Sequence, residues 1–490
     1  MSQQTKKNGQ PAWVKRILKL LGQAKAKDED CDRFGADSHQ YKLAAPASEE
    51  VVQKFEAQHG IRLPEEYRDF LTLVGNGGAG PFYGLFGVKV PESKRRETEL
   101  LEQWLPDEEN TLQAEPLIYP KMSDADWDKA AQSPYPYTGV LPIGTQGCTL
   151  MTGLMLTGPY RGQVVYYDDD LCGPPFFLRE KGVLAWYERW LREVIAGYDD
   201  EETDFGLNVD GNPAQLMELY EQTGDPDEKI EIINSYYKFQ TLPGKQKTYF
   251  KQACAGESDM RIRMELIKML AHFQVPGMTK EIDALWEYGA YAEAVSVIQW
   301  GSTLDVTKDW YEKVFEILPQ LHGEAFRNAC YIFRSVRDYP NVNAGRLKDA
   351  LRREDLDQNE LNSMFYCIKE LDGKEEVLDY FCDYLPAEED TYSLLLALEA
   401  IEGVTSRRLQ EIFVKLLDKY RTHENTKFDY KGSQMVSRSG GCFGASSPEG
   451  QIVYVLMRQF DWSGLERREA WRLLMNGGRW QDWKKQNGFS

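Results

Sequence analysis

Three consecutive carboxylates, Asp168-Asp169-Asp170, follow the apolar run Val164–Tyr167 and are the densest acidic cluster in their part of the chain. Adjacent carboxylates repel one another and so attract a cation or a basic surface. Successive side chains of a strand point to opposite faces, so three in a row cannot all reach one ion. A basic protein partner is therefore the better functional reading, and a solvated turn is the plain structural one. Asp107-Glu108-Glu109 could extend the same negative face.

Other chemistry is harder to find. Gly75, Gly77 and Gly80 spell GxGxxG, but they follow a helix-like run and precede a strand-like one, the reverse of a dinucleotide site. Asp204-Phe205-Gly206 copies a kinase triplet without the elements that should precede it. Counted from Asp204 as a calcium loop, Val209 occupies the position that requires Gly. HExxH, GxSxG and GK[ST] do not occur. The eight cysteines include no CxxC pair, which suits buried, reduced thiols rather than a disulfide framework or a zinc site. Cys442 could be an exposed reactive thiol, but no histidine is near it in sequence. The expectation is a chain with no catalytic residue, no cofactor and no metal.

The elements that would position such residues come from a chain long enough for roughly two to four domains. A hydrophobic content of 42% with 12% aromatics is ample for packed cores. The net charge is −20, yet residues 1–27 carry seven basic side chains and no acidic one, so the body is more acidic still. An acidic body argues against direct nucleic-acid binding, where Lys and Arg must neutralise phosphates, and permits steering toward a basic partner. No run approaches the ~18 apolar residues of a membrane span, and the N-terminus lacks signal-peptide order, so a cytoplasmic location is expected.

Residues 10–27 place Trp13, Ile17, Leu20 and Leu21 on one helical face of a basic segment. Its shortness favours a frayed leader over membrane-surface contact or an arm docked on the acidic body. Residues 28–47 read as a polar linker. Ser48 then caps a helix with Glu49 and Glu50 in its first turn, and Gly60 closes it. Pro64 opens a second helix at its first position, with Tyr67, Phe70, Leu71 and Val74 as buried face. Gly75-Asn76-Gly77-Gly78 ends that helix, and Pro81–Val88 reads as a strand.

The ordered set Gly60, Leu63-Pro64, Tyr67, Phe70-Leu71, Asn76-Gly77-Gly78 and Tyr83-Gly84-Leu85-Phe86 resembles the SUKH superfamily of bacterial immunity proteins and fungal cell-wall-synthesis regulators. Past an acidic insertion (residues 92–133), the likeness continues through Val140–Gly144, the hairpin-like Leu150–Tyr167, Phe176–Leu178 and the helix Val183–Ala196, covering residues 41–198. The resemblance implies an α+β domain of helices on an antiparallel meander, without known catalytic residues. Its motif residues read as scaffold. The partner it implies is a protein, foremost a cognate toxin, commonly a nuclease or another nucleic-acid-modifying domain.

Residues 199–212 form an acidic linker by composition. From residue 213 to 423 the pattern becomes successive helical periods broken at Pro and Gly, an all-α helical-repeat, solenoid-like domain of HEAT or TPR character by pattern only. Residues 424–490 hold a Gly/Ser-rich stretch, 432–450, that reads as a mobile loop, followed by closing helices with Trp471, Trp480 and Trp483 as anchors. The functional expectation is an immunity protein that binds and neutralises a toxin, with a regulatory scaffold acting through its helical repeats as the alternative. Asp168, Asp169 and Asp170 are the candidate contacts.

Overall fold

The computed structural model describes residues 10–88, 101, 105, 110–198, 205–301, 304–422, 428–431, 434–437, 448–460, 462, 465 and 467–489. The chain divides into two compact units, residues 1–265 and 266–490.

The first unit is built on a four-stranded antiparallel meander in the order β1 (Val140–Gly147), β2 (Leu150–Met155), β3 (Val164–Asp168), β4 (Phe176–Phe177). Register pairs Val140 with Met155, Leu150 with Asp168 and Val165 with Phe177. Its helices are α1 (Ala12–Lys27), α2 (Ala36–His39), α3 (Glu49–Gln58), α4 (Glu65–Asp69), α5 (Asp124–Ala130), α6 (Val183–Ala196), α7 (Pro213–Gln222), α8 (Pro226–Asn234) and α9 (Gly244–Gly256). Strand β3 is buried along Val164–Tyr167, and its alternation divides two layers. The Tyr166 hydroxyl accepts from the Trp186 indole of α6 at 3.0 Å. Tyr167, on the other face, packs on Tyr137, which stacks on Trp127 of α5.

The helix pair at the start of the meander forms for local reasons. The Ser48 side chain accepts from the Val51 amide, and Gly60 adopts φ +61 beyond the helix end. Pro64 caps α4 rather than occupying its first helical position, and a single π-turn, Phe70–Val74, follows. Leu63, Tyr67, Phe70 and Leu71 are buried. Gly78 is held at φ +100, and a Cβ there would lie 2.4 Å from the Lys42 carbonyl, so only glycine fits.

Several segments differ from their sequence reading. The strand expected at Pro81–Val88 is a set of single-residue bridges, Gly78 to Leu85 and Leu85 to Gly144. Gly84 at φ +93 interrupts a regular ladder, and the Asn76 side-chain amide bonds both the carbonyl and the N–H of Val88 at 2.9 Å, as a strand neighbour would.

The basic segment at residues 10–27 is not a frayed leader. Val14, Ile17, Leu21 and Ala24 of α1 are buried in the main core, α1 packs on α6, and Arg16 pairs with Glu188. Tertiary packing overrides the weak helicity of a short segment, and the face free for a membrane surface is spent. Ile17→Val is therefore expected to cost about 1 kcal/mol in denaturant unfolding. A loss within error of zero would return α1 to the status of a loose arm.

The linker expected at 28–47 is packed as well. The Tyr41 hydroxyl bonds Asp28 at 2.7 Å, and its ring stacks on Trp190.

The composition break at 199–212 does not coincide with a gap in packing where it is described. Phe205 and Asn208 are buried. Arg189 of α6 is fully buried, with Glu193 at 2.9 Å, Glu180 at 2.7 Å and the Asn208 carbonyl at 2.8 Å. Lys238, just past α8, donates to the Val209 carbonyl at 2.6 Å and lies 3.5 Å from Glu193. This network ties the meander's last helix to the first helices of the helical region.

The second unit contains α10 (Met260–His272) from residue 266, then α11 (Thr279–Glu287), α12 (Tyr291–Gly301), α13 (Leu304–Ile317), α14 (Gly323–Ser335), α15 (Lys348–Leu351), α16 (Gln358–Lys369), α17 (Leu378–Tyr384), α18 (Thr391–Ala400), α19 (Arg407–Tyr420), α20 (Pro448–Arg458), α21 (Arg467–Met475) and α22 (Gly477–Gln486). Alternate helices α12, α14, α16, α18 and α20 pack successively into one row, a solenoid-like arrangement. A hairpin of β5 (Phe428–Lys431) and β6 (Gln434–Ser437) runs into the stretch read as a mobile loop, with β6 inside it. Residues 438–447, with Cys442, lie outside the described residues.

Candidate partner-binding surface

One end of the meander gathers the acidic cluster and an exposed apolar group. The β1–β2 turn passes through Gly147 at φ +97 and Cys148 at φ +50, and the β2–β3 register sets Leu150, just beyond it, opposite Asp168. The Asp168 carboxylate accepts from the Asp170 amide at 3.0 Å, and hydrogen bonding, first from the Thr149 side chain, holds it below the usual carboxylate range. The Asp169 amide donates to the Thr149 carbonyl at 2.9 Å. Partial burial, then repulsion from Asp168 and Asp170, raises the Asp169 carboxyl above its ordinary value.

The turn rests on an aromatic base. Tyr137 donates to the Asp168 carbonyl at 2.7 Å, and the Trp127 indole donates to the Leu171 carbonyl at 3.4 Å. Asp168 is thus occupied in shaping the turn, whereas Asp169 and Asp170 are exposed and available to a partner.

The apolar group lies beside it. Tyr83 is 40% exposed, and its ring sits so close to Gly147 that a Cβ there would meet it at 2.8 Å. Phe34, 54% exposed, stands edge-on to Tyr83 at 5.4 Å, and Leu150 is 46% exposed. These side chains are large and apolar, Leu150 on β2 and Phe34 and Tyr83 in turns packed on each other, the composition of an interface centre. Sequence reasoning missed Phe34 and Leu150. The only available signals were a lone aromatic in a polar segment and an apolar residue beside a turn.

Other candidate residues separate into scaffold positions and positions that remain undescribed. Gly60, Gly77 and Gly78 act through left-handed backbone geometry, Pro64 as the residue that opens α4, and Asn76 through its side-chain bonds to the Val88 backbone. Asp107-Glu108-Glu109 and Asp204 lie outside the described residues. Phe205 packs in the core under the Arg189 guanidinium, 5.4 Å from its ring centre. Among the described residues no group of three or more His, Cys, Asp or Glu could hold a metal ion, and no helix is long and apolar enough to cross a membrane. Cys254, Cys330, Cys367 and Cys382 are buried free thiols. Cys148 and Cys172, by contrast with the sequence expectation, are exposed, because both sit in connections between strands.

Residues 46–182 match the SMI1 / KNR4 family (SUKH-1). The chain carries a SUKH domain. The matched span contains the helix pair, the whole meander and the acidic turn, and ends just before α6. Neither a curated protein nor a solved structure matches the chain significantly. The SUKH domain supports a protein-binding or immunity-type role.

Proposed function

We propose that this chain is a non-enzymatic, cytoplasmic immunity protein whose SUKH domain binds a cognate toxin and blocks it, with a nuclease or other nucleic-acid-modifying domain as the favoured class. The observation that carries the reading is the pairing of Asp169 and Asp170 with Phe34, Tyr83 and Leu150 at one end of the meander. Domains that act on nucleic acid present basic surfaces, which an acidic protein of net charge −20 attracts from a distance. The apolar side chains then supply the desolvated contact that charge alone does not.

Two experiments test this. Co-expression with a candidate toxin should restore growth, and persistent killing despite soluble expression would reject that pairing. In the second, Asp169→Asn with Asp170→Asn should lower the association rate about tenfold at low salt and flatten its salt dependence. An unchanged rate and slope would remove the turn from the interface.

A further inference from the structure

The exposed rings beside the acidic turn form a corner rather than a flat patch. Phe34 and Tyr83 meet at 71° with ring centres 5.4 Å apart, and Phe82 stands at 78° to Phe34. Two turns packed backbone to backbone carry these rings. Phe82, immediately before the exposed Tyr83, adopts φ +55, a left-handed conformation rare for a bulky side chain. Gly35, next to Phe34, is at φ +75, and a Cβ there would collide with the Phe82 carbonyl. Bulky residues held in that region concentrate at ligand clamps and other functional sites.

Carboxylates approach this end of the domain from three stretches. Residues 28–37, which carry Phe34, hold five acidic side chains against Arg33 alone. Asp168, Asp169 and Asp170 lie across the β2–β3 ladder from the turn at Gly147, on which Tyr83 rests. Helix α5, joined to the acidic turn through the Trp127 indole, adds Asp124, Asp126 and Asp128, and its Lys129 already pairs with Asp126. Glu29, Asp30, Asp32, Asp37, Asp169 and Asp170 are exposed. Lys25 and Lys42 act here too, but the acidic side chains win. Burial, then Asp28, raises the Cys31 thiol above its ordinary value, and Lys25 and Lys42 oppose this less strongly than Asp28 and Asp37 favour it.

A purely apolar occupant would strip water from these carboxylates and return nothing to them. A bare metal ion finds no group of three ligands among the described residues. An arginine suits both features, because its planar guanidinium stacks on a ring while its edge donates to a carboxylate. We propose that the corner of Phe34 and Tyr83 seats an arginine side chain of the basic partner, with Asp169 and Asp170 accepting from it. The seat deepens the toxin reading and rests on it for the partner; the two rings then recognise charge as well as supply apolar contact.

The test needs no toxin. It uses the full-length chain and fluorescence anisotropy with three labelled peptides in which Gly alternates with Arg, Lys or the uncharged citrulline. The Arg peptide should bind saturably, the Lys peptide more weakly and the citrulline peptide at least tenfold more weakly. Phe34→Leu and Tyr83→Leu keep apolar bulk but lose the ring face, and each should weaken the Arg peptide about threefold, whereas Tyr83→Phe should match wild type. If Tyr83→Leu unfolds the protein, Phe34→Leu decides alone, because that ring is mostly exposed. No saturable binding, equal binding of the citrulline peptide, or wild-type affinity in the Leu variants would overturn the seat. Binding that only Asp169→Asn with Asp170→Asn weakens would also overturn it, by leaving charge without the rings. Toxin association slowed by those Asn changes would then still stand, and a confirmed arginine seat would likewise survive failure to neutralise any toxin.

Discussion

Replacing Arg189 by Met is expected to cost about 3–5 kcal/mol of unfolding free energy, because it strips the cation from carboxylates that folding has taken out of water. Arg189 is fully buried, and Glu193 and Glu180 lie within 2.9 Å of it. Burial works against its charge, but the two glutamates outweigh that effect and hold its pKa above the ordinary value. Among the described residues the only other cation paired with Glu193 is Lys238, at the longer distance of 3.5 Å. Lys238 is itself pulled down to about 8, chiefly by burial. Its folded pKa lies below its unfolded value, so its contribution to stability rises as pH increases from about 8 to 10.5. Urea unfolding of the variant against wild type decides the main point, and a loss below about 1 kcal/mol would show the network to be dispensable. Glu193→Gln should cost less, since an amide still accepts from the guanidinium.

Acid should weaken the first unit through His39 before most carboxylates titrate. The His39 ring is buried, its Nδ1 accepts from the Tyr41 amide at 3.0 Å, and its other nitrogen faces the Gly80 and Phe82 carbonyls. Protonation would put a charge in the core and turn the Nδ1 acceptor into a donor facing a donor. Burial is the main cause that lowers its pKa from 6.5 to about 4; the two carbonyls and Asp28 and Asp37 oppose it without winning. Between those values the unfolded chain binds more protons than the folded one, so the stabilisation is whole above about pH 6.5 and lost toward pH 4. The integrated loss is about 3 kcal/mol. In His39→Gln, the stability difference from wild type should shrink as pH falls through that window. Parallel pH profiles would mean that His39 does not carry the acid sensitivity.

Much of the SUKH domain was legible because its signals are local. Ser48, Gly60 and Gly78 announce caps and a left-handed turn, and the run Val183–Ala196 alternates a wide apolar face with charge. What stayed hidden depends on partners distant in sequence. Nothing near Ile17 says that α6 waits to cover it, and Arg189 is indistinguishable from an exposed helix arginine until Glu180, Asn208 and Lys238 converge on it. At the candidate surface, the three aspartates were visible as a cluster, but their division of labour was not. Asp168 is taken up by the turn through a hydrogen bond to Asp170, which periodicity and composition do not encode. Phe34 and Tyr83 lie far apart along the chain, and only the docking of residues 81–88 against β1 brings them together.

The single-residue bridges along Leu43, Gly78, Leu85 and Gly144 also govern how this domain can be approached. An open sheet offers a row of free backbone donors and acceptors to which another chain can add a strand, or on which copies can aggregate. Here the β1 side tapers off through isolated pairings, with the Val88 backbone groups already taken by Asn76, and on the other side β4 is two residues long. Among the described residues neither margin offers a template of useful length. A partner must therefore read side chains at the turns rather than extend the sheet, and the same taper keeps neighbouring copies from zipping together.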